Sequence, residues 1–275
     1  MAKDLVAKVA IITGAAGGIG KALAEELAAR GCYLVLADIN AELLEATAAE
    51  LRGTGAQLEE KTVDVRDAAQ VQALIEGAFE ELDRIDYLFN NAGINVCAEI
   101  SDTTLEDWNL LIDVNLRGVI HGVHAAYPIM REQGFGHIIN TASAAGLIPA
   151  AAEGAYAATK HAVVGMSSAL RIEAEASGVK VSVVCPGLVD TPIIESTKYV
   201  RFDPEAILKA APEKPMNPRR VARLILRGVD RNRFVIIMSV TAHALWRLHR
   251  YAPNTSIRLG KIAINKFRSL RREDD

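Results

Sequence analysis

Short apolar runs alternate with helix-forming stretches from the start of the chain to near residue 184, and this alternation constrains the fold more than any other feature. Val9–Thr13 (VAIIT), Tyr33–Ala37 (YLVLA), Thr62–Val65, Tyr87–Phe89, His137–Asn140 and Val179–Val184 read as strands. Between them Ile19–Arg30, Ala41–Leu51, Val71–Leu82, a stretch ending near Met130, and Ala155–Ala176 read as helices. Strands so short and apolar are buried on both faces, which calls for parallel pairing with helices above and below. Right-handed crossovers then give an α/β fold, a single doubly wound parallel sheet flanked by helices. No linker or internal repeat divides residues 1–240, and residues 241–275 read as a helical C-terminal extension. Within the first part Gly187–Pro218, with five prolines, reads as a long irregular loop, and from about 188 to 218 it is placed to cover a ligand.

Charge and cysteine usage narrow the function classes. A net charge of −3 gives no global field for nucleic acid. It hides an asymmetry, because from Arg219 onward fourteen Lys and Arg face four Asp and Glu, which leaves the preceding residues at −13. Cys32, Cys97 and Cys185 sit in or beside apolar runs without a CxxC pair or Cys/His cluster, so they read as small buried hydrophobes, with no metal site and no disulfide framework. The N-terminal apolar run is short and flows into a glycine turn, as a first strand does and a signal peptide does not. The expected location is cytoplasmic.

Thr13-Gly14-Ala15-Ala16-Gly17-Gly18-Ile19-Gly20 joins the first strand to the first helix. Glycines there let the backbone approach a pyrophosphate, whose charge the helix N-terminus favours. The spacing is the longer TGxxxGxG form rather than GxGxxG. Asp38 follows the second strand, eighteen residues after Gly20. A carboxylate at that place accepts the ribose hydroxyls of NAD and repels the extra phosphate of NADP. Ile39 next to it offers no cation for such a phosphate, so NAD is the expected cofactor over NADP.

Further along come Asp64 in VDV, Asn90-Asn91-Ala92-Gly93, Asn115 in VNLRG, Ser143, Tyr156-x-x-x-Lys160, and Pro186-Gly187 with Thr191. With the glycine turn, this ordered series resembles the short-chain dehydrogenase/reductase family over roughly residues 5–195, which implies a Rossmann-type sheet. A phenol has an unperturbed pKa near 10. Lys160 stands one helical turn after Tyr156 on the same face, so its ammonium is expected to draw the phenol toward neutrality for acid/base work. Ser143 can hold the substrate oxygen and stabilise charge developing on it. By resemblance, Lys160 also binds the nicotinamide ribose and Asn115 holds a water in a proton relay; a helix-bending role for Asn115 stands beside that. The resemblance further implies cofactor contacts from Gly14, Gly17, Gly18, Ile19, Gly20, Asp38, Ile39, Asp64, Val65, Asn91, Ala92, Gly93, Tyr156, Lys160, Pro186, Gly187, Val189 and Thr191. Asn90 reads equally as a brace between central strands.

The same resemblance bounds the substrate by Asn95–Ala98, Ala145–Pro149, Glu153 and Leu188 onward, with Asn95, Ser143, Leu147, Glu153, Tyr156 and Leu188 as candidate contacts. INVCA, AGLIPA and GLVDTPII make most of that wall apolar, so a lipophilic secondary alcohol or its ketone is expected. Glu153 is the one charged candidate, at the mouth or in solvent. An acyl-chain (3-oxoacyl-type) ketoreductase using NADPH and a catalytically silent nucleotide-binding regulator are the alternatives. Asp38 counts against the first, and the intact Ser143, Tyr156 and Lys160 against the second.

Beyond the resemblance, Thr241, Ala244, Leu245, Leu248 and Tyr251 recur at helical spacing until Pro253. Leu259, Ile262, Ala263, Phe267 and Leu270 then form a stripe opposite Arg258, Lys261, Asn265, Arg268 and Arg272. Such a basic amphipathic helix packs on a subunit or over the pocket, or rests on an anionic membrane surface as a peripheral contact. Relatives are usually homodimers or homotetramers, and Ala157, Ala158, Ala162 and Gly165 would allow close packing of the Tyr156 helix against a partner.

Overall fold

The computed structural model describes residues 4–211 and 213–269. Seven parallel strands form the main sheet: β1 (Val9–Thr13), β2 (Tyr33–Asp38), β3 (Leu58–Thr62), β4 (Tyr87–Asn90), β6 (Gly136–Thr141), β7 (Val179–Cys185) and β9 (Val235–Ile237). Their order across the sheet is β3-β2-β1-β4-β6-β7-β9. A separate two-stranded ribbon pairs β5 (Val96–Cys97) with β8 (Lys198–Tyr199). Helices α1 (Gly18–Ala28), α2 (Ala41–Gly53), α3 (Ala68–Leu82), α4 (Leu105–Ile112), α5 (Gly118–Gln133) and α6 (Gly154–Ala174) alternate with the strands. They are followed by α7 (Pro192–Ser196), α8 (Pro204–Ala210), α9 (Pro218–Asp230), α10 (Val240–Tyr251) and α11 (Pro253–Arg268).

Strand alternation sorts the core into two layers. Ala10, Ile12, Leu34, Leu36 and Phe89 face α1, α2 and α9, where Leu23, Leu27, Leu44, Val221 and Ile225 cover them. Val9, Ile11, Val35 and Leu88 face the other way, against Leu74 and Ile75 of α3 and Ala126 and Met130 of α5. Side chains cap several of the helices. The Asn40 side chain accepts from Leu43 N, the Asp67 side chain accepts from Ala69 N and Gln70 N, and Thr104 with Asp107 forms a reciprocal capping box.

The structure departs from the sequence reading in four places. The third strand is Leu58–Thr62 rather than Thr62–Val65, because LEEKT is a sheet edge with polar, partly exposed side chains, whereas Val63–Val65 lies past the strand end. The helix ending near Met130 is two helices, α4 and α5, joined by a π-helical turn at Asp113–Arg117. The 188–218 loop is not irregular throughout. It contains α7, α8 and β8, and its two ends are clipped where Met216 N donates to Leu188 O and Asp190 N to Met216 O. A seventh strand, β9, closes the sheet after the Arg-rich helix α9.

The C-terminal helices pack through only part of the apolar stripes, with Phe267 inward as the stripe suggests. In α10 the buried residue is Ala242, while Tyr251 is 82% exposed. In α11 the inward residues are Ser256, Ile264 and Phe267, the latter two against Phe202 and Ala152, while Ile262 is 68% exposed and Leu259 also faces out. Arg268 pairs with Glu99 and pins the end of α11 beside the 188–218 loop and the start of α6. Leu270 and Arg272 lie outside the described residues. Among the described residues no helix is long and apolar enough to cross a membrane.

Candidate active site

The sheet order reverses between β1 and β4, and in open α/β sheets the ligand crevice lies at the strands' carboxyl ends at such a switch point. Thr13, the last residue of β1, builds one side of it. Its hydroxyl donates to Phe89 O and accepts from Asn91 N at 3.0 Å and Ala92 N at 3.2 Å. Asn91 Nδ2 in turn donates to Thr13 O and Gly14 O, so its side chain braces the glycine turn rather than reaching outward. Gly14 and Gly18 have φ of +64° and +55°, the left-handed region that glycine tolerates. Gly20 is fixed by contact instead, since a β-carbon there would lie 2.0 Å from Gly14 O. Gly17 precedes α1 without a side-chain cap, and the first turn holds no acid. The leading N–H groups of that helix, Ile19 among them, are thus left for an anion.

Asp38 ends β2 beside this turn. Its Oδ2 accepts from Ala16 N and its Oδ1 from Asn40 N, both at 3.0 Å, and it forms no salt bridge among the described residues. The carboxylate is thereby oriented and keeps lone pairs free for hydroxyl donors. Ile39 is exposed next to it. Asp64 is held differently: Arg66 grips its carboxylate and keeps its pKa below the ordinary value. Val65 leans on the α3–α5 layer, leaves no room for a β-carbon at Gly118, and gives its carbonyl to His121.

The catalytic candidates come from β6 and α6. Ser143 stands just past β6 in extended conformation, held where Ala144 N donates to Pro186 O and Ala145 N to Ser143 Oγ. Below it a buried chain ties the central strands to α6: Asn90 Nδ2 donates to Asn140 Oδ1 at 2.9 Å, and Asn140 Nδ2 to Ser167 Oγ at 3.0 Å. Asn90 is therefore a brace, and Thr13, Asn140 and Ser167 are supporting residues that the motif reading gave no role. Tyr156 and Lys160 project from the first turns of α6. Lys160 is 2% exposed, its Nζ donates to Thr141 O at 3.0 Å, and it lies 5.6 Å from the centre of the Tyr156 ring.

Burial pushes Lys160 down from 10.5 to about 8. It also drives the Tyr156 phenol up from 10.0, the Glu153 carboxylate adds to that rise, and a hydrogen bond with Ser143 opposes it. Desolvation dominates the rise, and the Lys160 ammonium donates to Thr141 O while lying over the Tyr156 ring.

Asn115 lies fully buried in the π-helical turn, a feature that frequently marks functional positions. Its Oδ1 accepts from Ile94 N at 2.9 Å and its Nδ2 donates to Ile94 O at 3.0 Å, so it also stitches α4–α5 to the strand after Gly93. A β-carbon on Gly93 would sit 3.1 Å from Asn115 Oδ1 and 3.4 Å from Lys160 Nζ, so both polar atoms converge on that bare glycine.

The substrate-side candidates divide. Leu147 turns inward among Val119, Val163 and Cys185 and is a core residue, because the short 3-10 turn at Ala144–Gly146 folds it under the loop. Glu153 is part-buried: it precedes α6, and its Oε1 accepts from Asn95 Nδ2 at 3.0 Å. Burial raises its pKa. Leu188 and Val189 stand at the clipped base of the 188–218 loop, and Thr191–Pro192 lies over Gly17 and Gly18. Pro186 and Gly187 link that loop to β7, with Pro186 O as the anchor for Ala144. Cys32, Cys97 and Cys185 are all buried free thiols.

Residues 8–199 match the family model described as short chain dehydrogenase. The chain is a short-chain dehydrogenase. It is 39% identical over 209 residues to a levodione reductase of Leifsonia aquatica, covering 75% of this chain and 78% of that protein. It is 39% identical over 228 residues to the oxidoreductase UcpA of Escherichia coli, covering 80% and 86%. A short-chain dehydrogenase/reductase of Burkholderia phymatum, solved in complex with NAD, superposes with a TM-score of 0.84 at 32% identity, over 99% of this chain and 98% of that one. This short-chain dehydrogenase is accordingly an oxidoreductase of a family that acts on small substrates with a nicotinamide dinucleotide. Its own residues fit such a cofactor: the uncapped start of α1, the close-packed glycine turn and the uncommitted Asp38 carboxylate lie along one crevice.

Proposed function

We propose that the enzyme interconverts a neutral, largely lipophilic secondary alcohol and its ketone, using NAD(H) in preference to NADP(H). The observation that carries this is the meeting of Ser143, Tyr156 and Lys160 beside the crevice, with Tyr156 partly buried and hydrogen-bonded to Ser143. Ile94, Val96, Trp108 and Val200 pack around the tyrosine and support an apolar substrate. The oriented Asp38 without a neighbouring cation supports NAD, because a 2′-phosphate would meet a carboxylate and no Lys or Arg.

Bound in the crevice, the dinucleotide supplies the hydride acceptor or donor. In reduction, the Ser143 hydroxyl donates to the carbonyl oxygen and Tyr156 gives its proton to the oxygen as negative charge builds there. A phenol held above its ordinary pKa keeps that proton until the alkoxide demands it. Lys160, still largely an ammonium at neutral pH, offsets the tyrosinate left behind. In oxidation the transfer runs in reverse: the tyrosinate, its charge offset by Lys160, is the base that takes the hydroxyl proton. Asn115 and the bare face of Gly93 mark where a water would connect Lys160 to the interior.

On this reading residues 1–240 are one catalytic domain and 241–275 an extension that roofs the substrate loop through Ile264 and Phe267. Self-association through the outer face of α6 is part of the proposal, since Ala158, His161, Gly165, Ala169 and Ile172 line one exposed stripe there. Ala157 faces inward and is not part of it.

A panel of secondary alcohols and ketones with NAD(H) and NADP(H), followed by nicotinamide absorbance, tests the proposal. Turnover with NAD(H) is expected. A strong NADPH preference on 3-oxoacyl substrates would replace it with the ketoreductase reading, and NADH binding without any turnover would replace it with a regulator.

A further inference from the structure

The mechanism above leaves one partly buried polar pair without a task. Glu153 and Asn95 join through Asn95 Nδ2 and Glu153 Oε1 at 3.0 Å, and the other amide atom, Asn95 Oδ1, is buried without a partner. Buried acceptors are nearly always satisfied, and an orphan beside a reaction centre calls for an explanation. The pair is not needed to hold the chain together here. The backbone already does so, with Ala98 N donating to Ala152 O at 2.7 Å and a bridge between Ala98 and Glu153.

The titratable groups that sense Glu153 are Tyr156 on α6, Cys97 on β5 and Tyr199 on β8, all of them acids. Nearby cations are engaged elsewhere: Lys198 with Asp107, Arg201 with Asp102 and Arg268 with Glu99. Within one turn of the catalytic tyrosine, then, a carboxyl group and a buried, unpartnered amide oxygen, two acceptors, lie among apolar side chains.

We infer that Asn95 and Glu153 form a subsite for a second hydroxyl group on the substrate, so that the preferred pair is a neutral hydroxyketone and the corresponding diol. The inference rests on the alcohol–ketone reading of the same site and names its substrate class more narrowly. A hydroxyl supplies the donor that Asn95 Oδ1 lacks and can also serve the free Glu153 oxygen. A carboxylate-bearing substrate would be repelled by Glu153. The rest of the wall stays apolar, which suits the carbon frame between the two oxygens.

The test compares kcat/KM with NADH for cyclohexanone and for 2-, 3- and 4-hydroxycyclohexanone. In the unaltered enzyme at least one hydroxylated isomer is expected to exceed cyclohexanone about tenfold or more. That ratio is expected to fall toward one in Glu153→Leu and in Asn95→Ala. Because it is taken within one preparation, any loss of folded enzyme cancels. Equal use of all four ketones, a ratio that survives both substitutions, or a gain from a second carbonyl but not from a hydroxyl overturns the subsite while the alcohol–ketone reading stands. Failure to turn over any ketone or alcohol overturns that reading and the subsite with it.

Discussion

Replacing Lys160 by methionine separates what the lysine contributes to chemistry from what it costs the fold. Lys160 is 2% exposed, has no carboxylate partner among the described residues, and its ammonium is held by one bond to Thr141 O at 3.0 Å. The fall in pKa from 10.5 to about 8 is roughly 2.5 units, which at about 1.36 kcal/mol per unit is a penalty of about 3 kcal/mol on the charged folded state. Below about pH 8 both states carry the charge and the folded one bears the whole penalty. Between 8 and 10.5 the folded protein releases its proton while the unfolded chain keeps it, so stability rises with pH and the penalty fades. Methionine removes the penalty at similar volume but leaves Thr141 O without its partner, about 1 kcal/mol the other way. The variant should therefore be more stable by about 2 kcal/mol at pH 7, near parity at about pH 10, and slower in turnover by about 100-fold or more. Guanidinium chloride unfolding at both pH values, without dinucleotide, reads the difference as a shift in midpoint at constant slope. A variant less stable at pH 7, or one whose advantage is unchanged at pH 10, would refute the reasoning.

Three further outcomes follow from contacts around the crevice. Exchanging Asp38→Ser together with Ile39→Arg should move the ratio of kcat/KM for NADPH over NADH upward by about tenfold or more, since the exchange removes a repelling carboxylate and adds a phosphate partner; an unchanged ratio would mean that Asp38 serves only the turn it braces. Gly20→Ala places a methyl group 2.0 Å from Gly14 O and 2.9 Å from Asn91 Nδ2. NADH affinity by fluorescence titration should fall at least about tenfold, with a stability loss of about 1–3 kcal/mol. Asn140→Ala strands the buried amide of Asn90 and the hydroxyl of Ser167, so denaturant unfolding should show a loss of about 2–4 kcal/mol.

What the sequence disclosed was whatever local pattern determines. β1, β2 and β7 are runs of β-branched and aliphatic residues buried on both faces, and their neighbours in the parallel sheet followed from that. The glycine turn, Ser143, Tyr156 and Lys160 were legible because their chemistry fixes residue type and spacing together. β3 was misplaced because an edge strand needs few apolar residues, so LEEKT carries little signal beside the more apolar VDV. The exposure of Ile262 and Leu259 is hidden from periodicity for a related reason. Ser256 is buried and Ile262 exposed because the packing face is chosen by Phe202 and Ala152 across the contact, which no periodicity within α11 encodes. The rise in the Tyr156 pKa is likewise tertiary. The spacing to Lys160 was visible, but the burial of the phenol and the approach of Glu153 depend on how β5, β8 and α6 meet. Asn91 shows the converse, a motif residue whose side chain proves to serve the turn it sits beside.

The account stands or falls on one hydroxyl. Tyr156→Phe deletes a single oxygen from a partly buried ring and leaves the glycine turn, Asp38 and Lys160 untouched. Turnover of a ketone that the unaltered enzyme reduces should drop to near background, while NADH titrates with its affinity changed by no more than about threefold. Retention of a tenth or more of the original kcat would show that the proton reaches the substrate oxygen from another group.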